Sequence, residues 1–90
     1  MRIDITARHI SISKDLNDFI HEKLLKLIKY DSTIVSSKIV LLKESRAEKV
    51  ELIVTSKDRT YISKCYSSVF EKTIIKATDN ILKQIRRTKP

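Results

Sequence analysis

The spacing of the apolar residues constrains the fold of this chain most, because its period changes along the sequence. A period of two is typical of half-buried strands, and a spacing of three or four is typical of amphipathic helices. The strand-like segments are residues 2–7, 34–43, 49–56 and 60–66, and the helix-like segments are residues 13–29 and 68–89. The sequence therefore predicts the element order β-α-β-β-β-α.

This element order predicts a particular α+β architecture. Three strands joined by short polar connections favour an antiparallel meander, and two amphipathic helices each need an apolar surface to cover. We expect the fold class α+β, with the two helices packed on one face of a four-stranded mixed sheet. With 90 residues, the chain has the length of one domain, and we assign residues 1–90 to it.

Local signals predict where some of these elements begin and turn. Ser13 is expected to cap the first helix, and Ser68 with Glu71 forms the pattern of a capping box for the last helix. The connection 57–59 contains no glycine, so Asp58 is expected to adopt a positive φ angle. The small residues Ser63 and Cys65 would let a helix lie close above the last strand.

The charge balance favours a polyanionic partner. The chain has 19 basic and 11 acidic residues, a net charge of +8, and most of the surplus falls after residue 45. Such a surplus suits nucleic acid or an anionic membrane surface. No apolar run approaches the roughly 18 residues needed to cross a bilayer, and one cysteine without a signal peptide favours a cytoplasmic location.

Two basic stripes lie on the predicted helices. The first helix carries Lys23, Lys26 and Lys29 at three-residue spacing, beside its apolar stripe. The last helix ends with Lys83, Arg86 and Arg87. Cations at a helix C-terminus also match the helix dipole, and basic residues also serve solubility. A surface that binds protein thus remains an alternative to one that binds RNA.

Catalytic and metal-binding patterns are weak in this sequence. Cys65 falls within a predicted strand, and His9 and His21 lack the spacing with cysteines or acids that metal sites show. Glycine is absent, which excludes a glycine-rich phosphate loop. We therefore expect no enzymatic activity, no metal and no cofactor. The α-β-β-β-α portion has the element order of a double-stranded-RNA-binding domain, and a free-standing module of that kind is the alternative function.

Two segments of the chain resemble a known family. The first is Ile3–Ile10 with the lysine-bearing helix up to Tyr30, and the second is Asp79–Arg87. In both segments the chain resembles the short ribosome hibernation promoting factors, including ribosome-associated inhibitor A, and the resemblance covers essentially all 90 residues. It departs from the family at Asn80, where a lysine is common, and in the glycine-free connection 57–59.

The resemblance implies a function for the whole chain. Family members bind 16S rRNA in the decoding region of the small subunit within the 70S ribosome, where they occlude mRNA and the A- and P-site tRNAs. This silences idle ribosomes, as in the stress response and stationary phase. The implied partners are the small subunit and, where ribosomes pair, a separate ribosome modulation factor, but neither membrane nor DNA. We expect no C-terminal dimerisation domain. The implied rRNA-binding residues are Arg8, Lys23, Lys26, Lys29, Lys83, Arg86 and Arg87.

Overall fold

The computed structural model of the chain describes residues 1–88 and contains the strands and helices in the predicted order. The elements are β1 Arg2–Arg8, α1 Lys14–Leu25, β2 Ile34–Glu44, β3 Ala47–Ser56, β4 Thr60–Ser67 and α2 Phe70–Thr88. A 3₁₀ segment, Lys26–Lys29, continues α1. Lys89, where the sequence predicts the end of the last helix, and Pro90 lie outside the described residues.

The four strands form one mixed sheet with the spatial order β1-β2-β3-β4. β1 runs parallel to β2, whereas β2–β3 and β3–β4 are antiparallel pairs. The parallel pair follows from α1, because a crossover helix returns the chain to start its next strand in the same direction. The predicted fold class is confirmed.

Both helices cover the same face of this sheet. Residues that are neighbours across the strands share a face, and the central row of the covered face is Ile5, Ile39, Leu52 and Ser63. Ile39 and Leu52 are completely buried there. The helices contribute Ile20, Leu24 and Leu27 from α1 with its 3₁₀ segment, and Ile74, Ala77, Ile81 and Ile85 from α2. The opposite face of the sheet is not covered by either helix, and we call it the open face.

The helix starts differ in how well the sequence predicts them. At α1 the Ser13 cap is confirmed, since its Oγ accepts a hydrogen bond of 3.1 Å from the backbone N–H of Leu16. At α2 the capping box of Ser68 and Glu71 is wrong. That helix begins at Phe70, whose backbone N–H donates to the Glu48 carboxylate of β3 at 2.7 Å. A carboxylate from a distant strand occupies the positive end of the helix dipole instead.

The positive φ angle predicted for Asp58 is also wrong. Among the described residues, positive φ angles occur at His9 and at Ser45, which lies between β2 and β3. The β3–β4 connection does not need one, because Ser56 closes it. The Ser56 Oγ accepts from the backbone N–H of Arg59 at 3.0 Å, and the Ser56 backbone N–H donates to the Arg59 carbonyl at 2.8 Å.

Side chains of α2 cover part of the outer edge of β4. The Gln84 amide donates to the Ile62 carbonyl at 2.8 Å, and the Lys76 ammonium lies 3.5 Å from the Tyr66 carbonyl. These contacts satisfy carbonyl groups that a neighbouring strand would otherwise pair. The rotation of α2 above the sheet is set by its buried residues Ile74, Ala77, Ile81 and Ile85, and it decides where the basic residues lie.

Candidate nucleic-acid interface

The three lysines of the first basic stripe lie along one side of α1 and its 3₁₀ segment. Lys26 and Lys29 are three residues apart in a 3₁₀ turn, so their side chains leave it on the same side. The Lys23 ammonium lies over the ring of Phe19, 5.4 Å from its centre. Lys26 is 3.9 Å from Glu22, but both side chains are mainly exposed, so this ion pair contributes little.

A narrow cavity separates this stripe from α2. It has a volume of about 100 Å³, with Lys23 and Lys26 on the α1 side and Asp79 and Leu82 on the α2 side. Lys83 follows Asp79 by four residues, so it lies on the same side of α2, one turn further on. The second basic stripe thus begins beside the first.

Arg86 connects the C-terminal end of α2 to the exit of α1. Its guanidinium lies over the ring of Tyr30, 5.9 Å from the ring centre. The next residue, Asp31, is buried and accepts hydrogen bonds from the Tyr61 hydroxyl at 3.1 Å and from the backbone N–H of Thr33 at 3.0 Å. The bond from Tyr61 anchors the chain after α1 to β4, and so holds Tyr30 near Arg86.

The structure therefore brings five of the seven predicted residues together. We call this group the helix face: Lys23, Lys26, Lys29, Lys83 and Arg86.

Arg87 lies on another side of α2, although it is adjacent to Arg86 in sequence. It lines a cleft of about 370 Å³ with Gln84 and with Arg59 and Tyr61 from the β3–β4 region. Sequence reasoning missed Arg59. The available signal was a connection, residues 57–59, with two basic residues out of three, but its position relative to α2 depends on tertiary packing.

Arg8 lies away from the other predicted residues. It ends β1 on the exposed side of that strand, where every second residue from Arg2 is exposed. It lines a groove on the open face together with Lys38 and Lys64. The sheet thus separates Arg8 from the helix face.

The electrostatics of the helix face suit anion binding. Among residues 1–88, Lys26 is the only one of the seven predicted residues with a carboxylate oxygen within 4.0 Å. Lysines and arginines without a carboxylate partner are available to neutralise phosphates. Because the helices rest on a packed sheet, the backbone positions that carry these side chains are held at fixed spacing, and little backbone entropy is lost on binding.

Other kinds of site find less support in the described part of the chain. Residues 1–88 contain no group of three or more histidines, cysteines or acids that could hold a metal ion. The Cys65 thiol lies 3.4 Å from the Ser63 hydroxyl, in a half-buried strand position beneath α2. None of the helices that the structure describes is long and apolar enough to cross a membrane.

The chain is similar to one described protein family. Residues 3–90 match the family model described as sigma 54 modulation protein / S30EA ribosomal protein. No curated protein sequence matches the chain significantly.

Two solved structures share the fold over nearly the whole chain. A ribosomal subunit interface protein from Coxiella burnetii is 20% identical with a TM-score of 0.90, and the match covers 97% of this chain and 96% of that one. The N-terminal domain of Protein Y from Thermus thermophilus is 21% identical with a TM-score of 0.91, and the match covers 99% and 100%. At these identities the two structures support the fold alone.

Proposed function

Because the chain belongs to the sigma 54 modulation protein / S30EA ribosomal protein family, we propose that it binds the ribosome and inhibits translation while the ribosome is idle. The solved relative from Coxiella burnetii is described as a ribosomal subunit interface protein, which is consistent with this role. The role is one of binding, without a bond made or broken, and its location is the cytoplasm.

The proposed binding site is 16S rRNA in the decoding region of the small subunit. Bound there, the protein occludes mRNA and the A- and P-site tRNAs. The observation that carries this proposal is the convergence of cations from both helices on the helix face, beside Tyr30 and the cavity between α1 and α2. A rigid surface with fixed positive charges fits the phosphates of a folded RNA without reading its sequence.

Three further residues and one further partner belong to the proposal. Arg87 and Arg59 provide a second group of phosphate contacts at the cleft beside the end of α2. Arg8 contacts RNA from the open face. A separate ribosome modulation factor is the proposed partner where whole ribosomes pair.

Sedimentation with purified small subunits tests the proposal. We expect the protein to co-migrate with the subunit at moderate salt and to reduce the binding of P-site tRNA. Failure to co-migrate would contradict ribosome binding, and full tRNA binding in the presence of bound protein would contradict occlusion of the decoding region.

A charge-reversed variant distinguishes this function from the alternatives. Replacing Lys26, Lys83 and Arg87 by glutamate is expected to abolish co-sedimentation, whereas a protein-interaction module with a merely solubilising charge would retain it. A free-standing double-stranded-RNA-binding module would bind naked RNA duplexes as tightly as intact subunits. Duplex competition in the same sedimentation assay separates that case, since we expect excess duplex to displace little protein.

A further inference from the structure

We propose that the open face of the sheet is a second RNA-binding surface, which takes a single-stranded segment by base stacking and phosphate contacts. The inference rests on the proposed function for its choice of RNA as the polyanion, but it concerns a different surface from the helix face. Its evidence is the arrangement of side chains across the four strands.

The strand register places apolar and basic side chains side by side on the open face. One row across the sheet consists of Arg8, Leu42, Lys49 and Tyr66. The neighbouring rows are Thr6, Val40, Glu51 and Lys64, and then Asp4, Lys38, Ile53 and Ile62. Because neighbouring strands lie about 4.8 Å apart, these residues form one continuous surface.

The apolar part of this surface includes two large exposed side chains. Tyr66 is 69% exposed, and Ile62 is 52% exposed. They adjoin half-buried Val40, Leu42 and Ile53, and a shallow groove of about 430 Å³ runs over this region. An exposed aromatic ring beside branched aliphatic residues offers a platform on which an unpaired base can stack.

The basic residues around the groove are mostly free of partners. Within residues 1–88, Arg8, Lys38 and Lys64 have no carboxylate oxygen within 4.0 Å. Lys49 is engaged with Glu44 at 2.7 Å. Glu51 is the remaining acid in the groove, and it stands opposite Lys64 in the register. Three cations thus line the groove beside the apolar platform, where they can pair with phosphates of a flexible strand.

The chemistry favours a single strand over the other occupants of such a face. Duplex RNA hides its base faces, so it would leave the apolar platform and Tyr66 in contact with nothing. A second copy of this chain would bring Arg8, Lys38 and Lys64 against the same charges, which repel. A single strand uses both features together, because its bases stack and its phosphates pair with the cations.

Fluorescence anisotropy with a labelled, unstructured RNA of about 12 nucleotides tests this proposal, a length within the range of known single-strand sites. Tyr66→Ala is expected to weaken binding about tenfold, since stacking on one aromatic ring contributes on that order, and Tyr66→Phe is expected to bind like the wild type. The double variant Lys38→Gln/Lys64→Gln is expected to reduce the slope of log affinity against log salt by about 1.4, or about 0.7 per lost phosphate contact. A matched control is Lys14→Gln/Lys72→Gln, which removes the same charge from exposed positions on the two helices.

Unchanged binding in both the Tyr66→Ala and the Lys38→Gln/Lys64→Gln variants would overturn the proposal. So would oligonucleotide binding that is lost equally in Lys26→Gln/Lys83→Gln, because the helix face would then be the site. Amide NMR spectra identify the occupant directly. Shifts at Lys38, Ile53 and Tyr66 on adding RNA support the proposal, whereas shifts at these residues on changing protein concentration alone would assign the face to a second copy.

The same variants separate this inference from the proposed function. If Tyr66→Ala binds the oligonucleotide normally while the wild type still co-sediments with small subunits, the open-face site is refuted and ribosome binding stands. If the wild type binds the oligonucleotide through Tyr66 but does not co-sediment with small subunits, ribosome binding is refuted and the open-face site stands.

Discussion

Neutralising two lysines of the helix face gives a quantitative test of phosphate binding. Lys29 and Lys83 come from the two different helices, both are exposed, and neither has an ion-pair partner among the described residues. In Lys29→Gln/Lys83→Gln, each substitution removes one charge and keeps a long polar side chain. Neither residue contributes to the buried core, so the fold is expected to be retained.

The expected effect follows from counterion release. Each phosphate neutralised contributes about 0.7–0.9 to the slope of log affinity against log salt, so losing two contacts makes the slope shallower by about 1.4–1.8. We assume that the affinity extrapolated to 1 M salt is unchanged. At 0.1 M salt, one decade lower, the affinity then falls by 10 raised to the change in slope, or about 25- to 60-fold. At 0.3 M salt the same calculation gives about 5- to 9-fold. The defect should therefore shrink as salt rises.

The assay is co-sedimentation with purified small subunits over this salt range at constant magnesium. The matched control is Lys14→Gln/Lys72→Gln, which has the same net charge and changes one residue near the start of each helix. We expect the control to keep the wild-type slope. A control slope reduced as much as that of Lys29→Gln/Lys83→Gln would mean that net charge alone governs binding. An unchanged slope in the test variant would refute phosphate contacts at these two lysines.

Three further predictions concern the elements that position the basic residues, and each is checked by thermal or urea unfolding. Asp31→Ala should cost about 1–3 kcal/mol, because the buried Tyr61 hydroxyl loses its acceptor; a cost below that of an exposed substitution would contradict the anchoring role. Glu48→Ala should cost about 1 kcal/mol through the lost cap on the Phe70 N–H, while Glu48→Gln keeps most of it; equal losses in both variants would point away from capping. Ser45→Gly should raise the free energy of unfolding by about 0.5 kcal/mol. Glycine adopts the φ angle of 49° without strain, and this gain exceeds the cost of its greater freedom in the unfolded chain. A loss of stability would contradict strain at Ser45.

The fold could be predicted from the sequence because its signals are local. The period of the apolar residues fixed each strand and helix to within a few residues, and the Ser13 cap lies three residues from its partner. The cap of α2 escaped prediction because Glu48 is 22 residues away from Phe70. Similarly, the prediction for the β3–β4 turn considers only the backbone preference of Asp58. The Ser56 side chain closes this turn, so Asp58 needs no positive φ angle.

The candidate site could be predicted only as far as helical periodicity reaches. Lys23, Lys26 and Lys29 share a side because of their spacing, and the structure retains that arrangement. Arg86 and Arg87 diverge because successive residues of a helix point about 100° apart. Which neighbours each arginine meets depends on how α2 packs on the sheet, which its sequence does not show.

The arrangement of the basic residues of the sheet depends on the strand register and not on local sequence. The family resemblance implies that Arg8 binds rRNA together with the helix lysines, but strand alternation puts it on the open face. Lys38 and Lys64 are far apart in sequence and become neighbours of one groove only through the strand register. No local pattern contains that information.

A cryo-electron microscopy map of the protein bound to the small subunit is the most direct test of the central claim. The account predicts density in the decoding region, with α1 and α2 turned so that Lys26, Lys29, Lys83 and Arg86 lie against rRNA phosphates. Density at another location on the subunit, or an orientation with the helix face toward solvent, would contradict it.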